Sequence, residues 1–244
     1  MASHKQRVLL LGATGHTGRS ILDGLLEYGK YKIQALVRPS SAEKPEVKKL
    51  VERGVSIVIA DINGPTEDLV EIQRGIDVTI SAIDAGSIHA QKNLATAAKE
   101  AGVKRFVPCA WITVAPAGGV MVTRDHKEDV YNHIKKLHLP FTVIDVGFWH
   151  QVSFPPVSYG ELETQRSEAR ANYERDPTNA NFGMRQFTDY QYSKYVRGDN
   201  QIEYAKYLGY LDAQELFPDF QPIKFRDFLR DLLDGKIEKP HYEM

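Results

Sequence analysis

The sequence predicts an α/β protein built on a doubly wound parallel sheet, with a small, mostly helical lobe at its C-terminal side. Three observations carry that prediction. Short apolar runs alternate with helix-period segments up to Gly147, the first such run stops at a glycine that opens a helix, and the character of the chain changes after Gly147. Runs without polar alternation suit strands buried on both faces, and strands separated by helices imply βαβ crossovers and parallel pairing.

Arg7 to Gly12 reads as the first strand. His16 to Gly29 carries Ile21, Leu22, Leu25 and Leu26 at helical spacing, with Gly29 as the stop. Lys32 to Arg38 is the second strand, closed by Pro39, and Glu43 to Arg53 is an exposed helix with a sparse stripe of Val47, Leu50 and Val51. Val55 to Ile59 is a β-branched third strand. Thr66 to Arg74 is a helix with Thr66 as N-cap and Gly75 as stop. Asp77 to Ser81 is the fourth strand, Ile88 to Ala101 a helix, Lys104 to Pro108 the fifth strand, Thr123 to His138 a helix and Phe141 to Val146 a sixth strand. Residues 1–147 therefore read as one domain and residues 148–244 as the lobe. In the lobe, Phe148 to Gly160 is an aromatic, proline-bearing loop and Glu161 to Arg175 a polar helix. Pro177 to Val196 reads as a second helix with Pro177 in its first turn, and Phe225 to Leu233 as the last.

Composition excludes several classes. The chain has 244 residues, 42% hydrophobic and 26% charged, which is globular rather than disordered. A formal net charge of −1 gives no basic excess for gripping nucleic acid or an anionic membrane. The single cysteine, Cys109, makes no intramolecular disulfide and no cysteine metal cage. The early apolar run Val8 to Leu11 is too short for a signal segment or a membrane span, so a cytoplasmic location is expected.

The turn Gly12-Ala-Thr14-Gly15-His16-Thr17-Gly18 lies between the first strand and the first helix. Glycines there permit a tight turn and a close backbone approach to a pyrophosphate, which the helix N-terminus then stabilises. This is the Rossmann-type arrangement. A strand–helix turn that merely favours glycine is the plainer explanation, and the position in the first βα unit favours the nucleotide. At the end of the second strand an NAD site usually places a carboxylate for the ribose hydroxyls; this chain has Arg38. A guanidinium matches a 2′-phosphate, so NADP(H) is the expected cofactor.

These residues resemble the NmrA-like, isoflavone-reductase-like branch of the atypical short-chain dehydrogenases. The resemblance rests on the glycine turn, Val37-Arg38, Ala60-Asp61-Ile62, and Ala101-Gly-Val-Lys-Arg-Phe-Val-Pro108. Arg124-Asp-His-Lys-Glu128, Leu139-Pro-Phe-Thr142, Tyr207-Leu-Gly-Tyr-Leu-Asp212 and Phe217-Pro-Asp-Phe220 look most like fungal members of secondary metabolism. The resemblance implies that Asp61 and Ile62 flank the adenine. It also implies that Ser81, Ala82 and Ile83 line the ribose and nicotinamide side, and that Lys127 is the catalytic lysine.

Periodicity tests Lys127 separately. Val130, Ile134 and Leu137 define the apolar face of its helix, and Lys127 falls at the edge of that face. An edge lysine either snorkels to solvent or, held near the cofactor, exchanges a proton with a substrate oxygen. A rival is Tyr131 with Lys135, at the Tyr-x-x-x-Lys spacing of ordinary short-chain dehydrogenases. Tyr28 with Lys32 and Tyr190 with Lys194 share that spacing, so it is a cheap pattern here. His126, His133 and His138 crowd one helix without carboxylates at ligand spacing, so no metal site is expected. Trp111, Phe148, Trp149 and His150 follow strand ends, where a flat ligand stacks or the core packs. Cys109 lacks an obvious base, and Arg197-Gly-Asp199 is a helix end with a turn.

Relatives of this type carry several tens of further residues where Gly160 here meets Glu161. The reading is an NADPH-dependent reductase of an aromatic or polycyclic metabolite. Two alternatives remain: an NADP(H)-binding redox-sensing regulator, and a redox-neutral rearrangement or cyclisation enzyme. Neither nucleic acid nor membrane is an expected partner, and a homodimer is left open.

Overall fold

The computed structural model describes residues 5–147, 149 and 158–237. The chain folds as two compact units: Met1–Trp111 with Thr123–Asp145, and Ile112–Val122 with Val146–Met244.

In the first unit, β1 (Gln6–Leu11), β2 (Tyr31–Val37), β3 (Ser56–Ile59), β4 (Val78–Ser81) and β5 (Arg105–Val107) form one sheet in the order β3-β2-β1-β4-β5. Every pairing is parallel. The connecting helices are α1 (His16–Tyr28), α2 (Pro45–Glu52), α3 (Thr66–Gln73), α4 (Gln91–Glu100) and α5 (Val122–Lys136). The chain runs outward from β1 to β3, then returns to the other side of β1. The carboxyl ends of β1 and β4 therefore flank the point where the winding reverses, and a ligand crevice opens there in such sheets.

The apolar run of β1 has no alternation because both faces are covered. Leu9 and Leu11 pack with Leu69, Leu94, Phe106, Val130 and Ile134. Val8 and Leu10 pack with Leu22, Ile33, Val47, Leu50 and Val107 on the other face. Each fully buried leucine contributes about 1.5–3 kcal/mol relative to exposure. A buried polar tie joins α3, β4 and α4: Thr79 donates to Gln73 at 2.8 Å and Gln73 donates to the Leu94 carbonyl at 3.1 Å.

Several local expectations need correction. The sixth strand is reduced to one parallel bridge, Phe106 with Phe141. Phe106 donates to the Pro140 carbonyl and accepts from Thr142, but Pro108 has no N–H with which to continue the ladder. Thr66 does not cap α3. Pro65 holds the cap position, and the Thr66 hydroxyl donates instead to Asn93 at 2.7 Å. The helix expected from Ile88 begins as a 3-10 turn over Ala85–Ala90.

The second unit is helical: α6 (Tyr159–Arg175), α7 (Asn179–Gln191), α8 (Ile202–Tyr207), α9 (Ala213–Leu216) and α10 (Phe225–Leu233). Pro177 lies outside α7, before the N-cap Thr178 whose hydroxyl accepts from Asn181 N–H. The segment expected to run unbroken to Val196 instead becomes a π-helical turn over Tyr192–Arg197. The Gly160–Glu161 junction lies in the first turn of α6, whose capping box pairs Ser158 with Glu161. Most of the loop expected at Phe148 to Gly160 lies outside the described residues.

Asp189 of α7 organises this unit. Its side chain is fully buried and takes the Arg166 and Arg170 guanidinia, both at 2.8 Å. It also accepts from Val122 N–H at 3.1 Å. The same arginines reach the Gly119 and Val120 carbonyls, which ties residues 112–122 to α6 and α7. Removing one partner from such a cluster strands buried charge. Asp189→Ala should lower unfolding free energy in urea by about 3–5 kcal/mol, and a loss within error would show that the arginines simply turn to solvent.

Candidate functional site

The site begins with three glycines that serve different ends. Gly12 has φ +85°, and a Cβ there would fall 2.1 Å from the Ala82 carbonyl oxygen. Gly15 closes the turn through its N–H to the Gly12 carbonyl at 3.0 Å. A Cβ on Gly18 would meet the Gly12 oxygen at 2.0 Å, so that glycine lets α1 pack onto the turn. Gly15 caps α1 without a side-chain hydrogen bond, and the first turn carries no carboxylate. The positive end of the helix dipole is thus left for an anion.

Around this turn lies a cleft of about 360 Å³. Gly12, Ala13, Thr14 and Gly15 form one wall, Arg38 with Ser41 and Lys44 a second, Ala60 to Asn63 a third, and Ala82 to Asp84 with Ser87 the fourth. Arg38 donates through Nε to the Ser41 hydroxyl at 3.0 Å. Asp61 accepts from Asn63 N–H at 2.9 Å, and Asn93 of α4 donates to the Ile62 and Gly64 carbonyls, pinning that loop.

Of the residues singled out from the sequence, the cleft collects Gly12, Thr14, Gly15, Arg38, Asp61, Ile62, Ala82 and Ile83. It does not collect His16, Thr17, Gly18, Ser81 or Lys127. His16 is exposed at the start of α1, Thr17 is half-buried and Gly18 is packed inward. Ser81 is fully buried, and its carbonyl accepts from the Trp111 indole at 2.8 Å. Sequence reasoning missed Ser41, Lys44, Asn63, Asp84 and Ser87. Lys44 carries a signal of its own, a cation shortly after Arg38 that becomes a neighbour once Pro39–Ser41 coils into a 3-10 turn.

Lys127 is not among the residues that line the cleft. It is 4% exposed, so the lysine expected at the edge of the apolar face is buried rather than snorkelling. Its ammonium donates to the Ala110 carbonyl. Burial lowers its pKa to about 8, against the opposing pulls of Cys109 and Asp145. Cys109 links it to the cleft: the thiol donates to the Ile83 carbonyl at 3.1 Å and the backbone N–H donates to Gln91. Burial pushes that thiol up, so it is a poor nucleophile.

The rival pair divides: Tyr131 is buried against Phe141, whereas Lys135 faces solvent. His126 packs on His89, and His133 shares a hydrogen bond with Thr96 at 2.9 Å. His138 turns the chain at φ +51°. No group of three or more potential metal ligands occurs among the described residues. Trp111 holds a φ of +45°, an uncommon value for a bulky residue. Phe148 and His150 lie outside the described residues, and Trp149 is half-buried. Arg197 and Asp199 close on each other at 2.9 Å, with Ser193 bonded to the same carboxylate. No described helix is long and apolar enough to cross a membrane.

Residues 4–184 match the NmrA-like family. The chain is 35% identical to asnovolin J 5′,6′-dehydrogenase of Aspergillus novofumigatus, across 93% of this chain and 95% of that protein. That alignment runs over 312 positions, so several tens of the relative's residues have no counterpart in this chain of 244. It is 32% identical to a phenylcoumaran benzylic ether reductase of Ginkgo biloba over 57% of this chain, spanning 48% of that relative. Among solved structures, AtPrR2 with NADP+ and (+)pinoresinol shares the fold at TM-score 0.71 and 19% identity, over 93% of this chain and 98% of that one. The leucoanthocyanidin reductase–NADPH complex from Vitis vinifera aligns at TM-score 0.52 and 27% identity, over 62% of this chain and 55% of that one.

A lysine whose folded pKa is about 8 and whose ordinary value is 10.5 holds its proton less tightly in the folded chain. Stability therefore rises as pH climbs from 8 toward 10.5, and below 8 the buried charge costs about 3 kcal/mol. Lys127→Met should raise the urea midpoint at pH 7, with the gap closing toward pH 10.5. A gap that does not change with pH would contradict the burial of a charged amine.

Proposed function

Because the chain belongs to the NmrA-like family, we propose that it is a reductase that passes hydride from NADPH to an aromatic or polycyclic metabolite, with Lys127 exchanging the proton. It is an oxidoreductase of the isoflavone-reductase-like type, and its cofactor is NADP(H). Cofactor binding is assigned to residues 1–147 and the substrate-side role to residues 148–244.

One observation carries the cofactor assignment. The glycine turn shares its cleft with Arg38, Ser41 and Lys44, and the last residue of β2 is followed by a guanidinium rather than a carboxylate. Two cations and a hydroxyl suit the doubly charged 2′-phosphate of NADP(H). The turn from Gly12 to Gly15 lines that cleft at the N-terminus of α1, which suits a pyrophosphate, and Gly12 without a side chain lets the turn close onto Ala82. Asp61 and Ile62 are assigned to the adenine side, and Ser81, Ala82 and Ile83 to the ribose and nicotinamide side.

NADPH, when bound, supplies the hydride. The protein's part is orientation, exclusion of water and custody of one proton. Lys127, charged below pH 8, donates its proton to the substrate oxygen on which negative charge develops and is left as a neutral amine hydrogen-bonded to Ala110. Its link to the cleft runs through Cys109 and the Ile83 carbonyl.

A second reading has one observation in its favour. Several tens of residues of the fungal relative are absent here. A chain with a reduced substrate wall would bind NADP(H) as a redox-sensing regulator without turnover, or guide a redox-neutral cyclisation.

Calorimetric titration of NADPH and NADH separates these readings when followed by nicotinamide absorbance with a panel of aromatic ketones and enones. Arg38→Ala should weaken NADPH about 10- to 100-fold while leaving NADH nearly unchanged, and equal losses would reject the 2′-phosphate role. Lys127→Ala should abolish turnover at unchanged cofactor affinity. In the parent protein the rate should fall as pH rises through 8; a flat profile would remove the lysine from the proton step.

A further inference from the structure

The last helices present more apolar surface than a lone chain usually leaves in water. Tyr207, Leu211, Phe217, Phe220, Ile223 and Leu233 are each more than half exposed. In α10 the cause is local: Phe225, Leu229 and Leu233 recur every four residues along one exposed stripe, and the buried position is the neighbouring Phe228. The apolar arc of the helix is thus wider than the strip its own unit covers. A groove follows that stripe, flanked by Arg226 and Arg230. None of these residues lines the cleft at the glycine turn.

Large side chains offer roughly 150–250 Å² each, so the exposed fractions leave on the order of 1,000 Å² of residues 207–233 uncovered. The largest apolar patch on a typical monomer is about 300–600 Å². A stable interface of standard size takes about 800 Å² from each partner. The surface is therefore large enough for a second copy of the chain.

Charge divides the same surface. Asp212, Glu215 and Asp219 stand among the apolar residues around α9, whereas Lys224, Arg226 and Arg230 belong to α10 and its N-terminal edge. Glu215 is bonded to Lys206 and Arg230 to Asp227 within the chain, but Asp219 and Arg226 make no ion pair among the described residues.

We propose that residues 207–233 form the two-fold interface of a homodimer, with α10 of each copy lying on residues 207–223 of the other. A closed two-fold contact uses the same patch twice, so the acidic part of one copy meets the basic edge of the second. Two α10 helices packed antiparallel on each other would instead bring their arginine edges together, where like charges repel.

Sedimentation equilibrium of the full chain, from submicromolar to high micromolar concentration, should give twice the chain mass, and Tm should rise with concentration. A monomer across that range would overturn the proposal and leave the surface to a different protein or to another segment of the chain. A mass that keeps climbing would overturn it too, because an open contact does not close on a two-fold axis. Leu229→Glu/Leu233→Glu should weaken the dimer at least about 100-fold with the helical circular dichroism unchanged. Should that variant unfold, Tyr207→Glu/Leu211→Glu probes the other half of the patch with the same expected loss. Asp219→Arg and Arg226→Glu should each weaken association about 10-fold, and the double reversal should restore it. Single losses without recovery in the double reversal would reject the seating of α10 on residues 207–223, and parent-like dimerisation in every variant would place the interface elsewhere.

Discussion

The backbone of Gly12 approaches the Ala82 carbonyl so closely that a methyl group in its place would sit 2.1 Å from that oxygen. The carboxyl ends of β1 and β4 come together there, and the rest of the site follows from that approach. A parallel sheet that reverses its winding at this point leaves the two strand ends without a crossover between them. Having no side chain at Gly12 lets the two strand ends close on each other, and the turn that follows lines the cleft. Gly18 repeats the constraint one turn into α1, where close packing against Gly12 aims the helix terminus at the cleft.

A different constraint governs α5. Its apolar stripe, Val130 and Ile134, is a wall of the core, and Lys127 and Arg124 extend that buried surface toward the N-terminus with charged side chains. A helix used only for packing would place leucine at both positions. Charge in this setting is costly, and the costs are handled unequally: Arg124 receives two carboxylates, whereas Lys127 receives a backbone carbonyl. The lysine is consequently the group whose proton is loosely held. The helical unit follows the opposite pattern, in which one buried acid, Asp189, is surrounded by arginines and a backbone donor.

Much of the fold was legible because both-face burial leaves a plain mark. Short, largely apolar runs located five strands, three of them closed by glycine or proline, and Gly29, whose φ is +70°, ended α1 as its position suggested. The expected sixth strand failed for a non-local reason: pairing needs a neighbour with free donors, and Pro108 supplies none. Thr66 was similarly drawn from its cap by Asn93, a partner 27 residues away.

The sequence by itself determined the α/β class, the glycine turn and the cationic end of β2, because each depends on residues adjacent in the chain. Spacing along one helix placed Lys127 at a boundary between core and solvent, since a helical wheel knows only the residues of its own helix. Tertiary structure alone buried that lysine, set Cys109 and Asp145 against it and gave Asp145 to Arg124. It also brought Lys44 to the cleft beside Arg38. Desolvation and charge pairing are sums over neighbours from distant parts of the chain, and those neighbours exist only once the sheet has assembled.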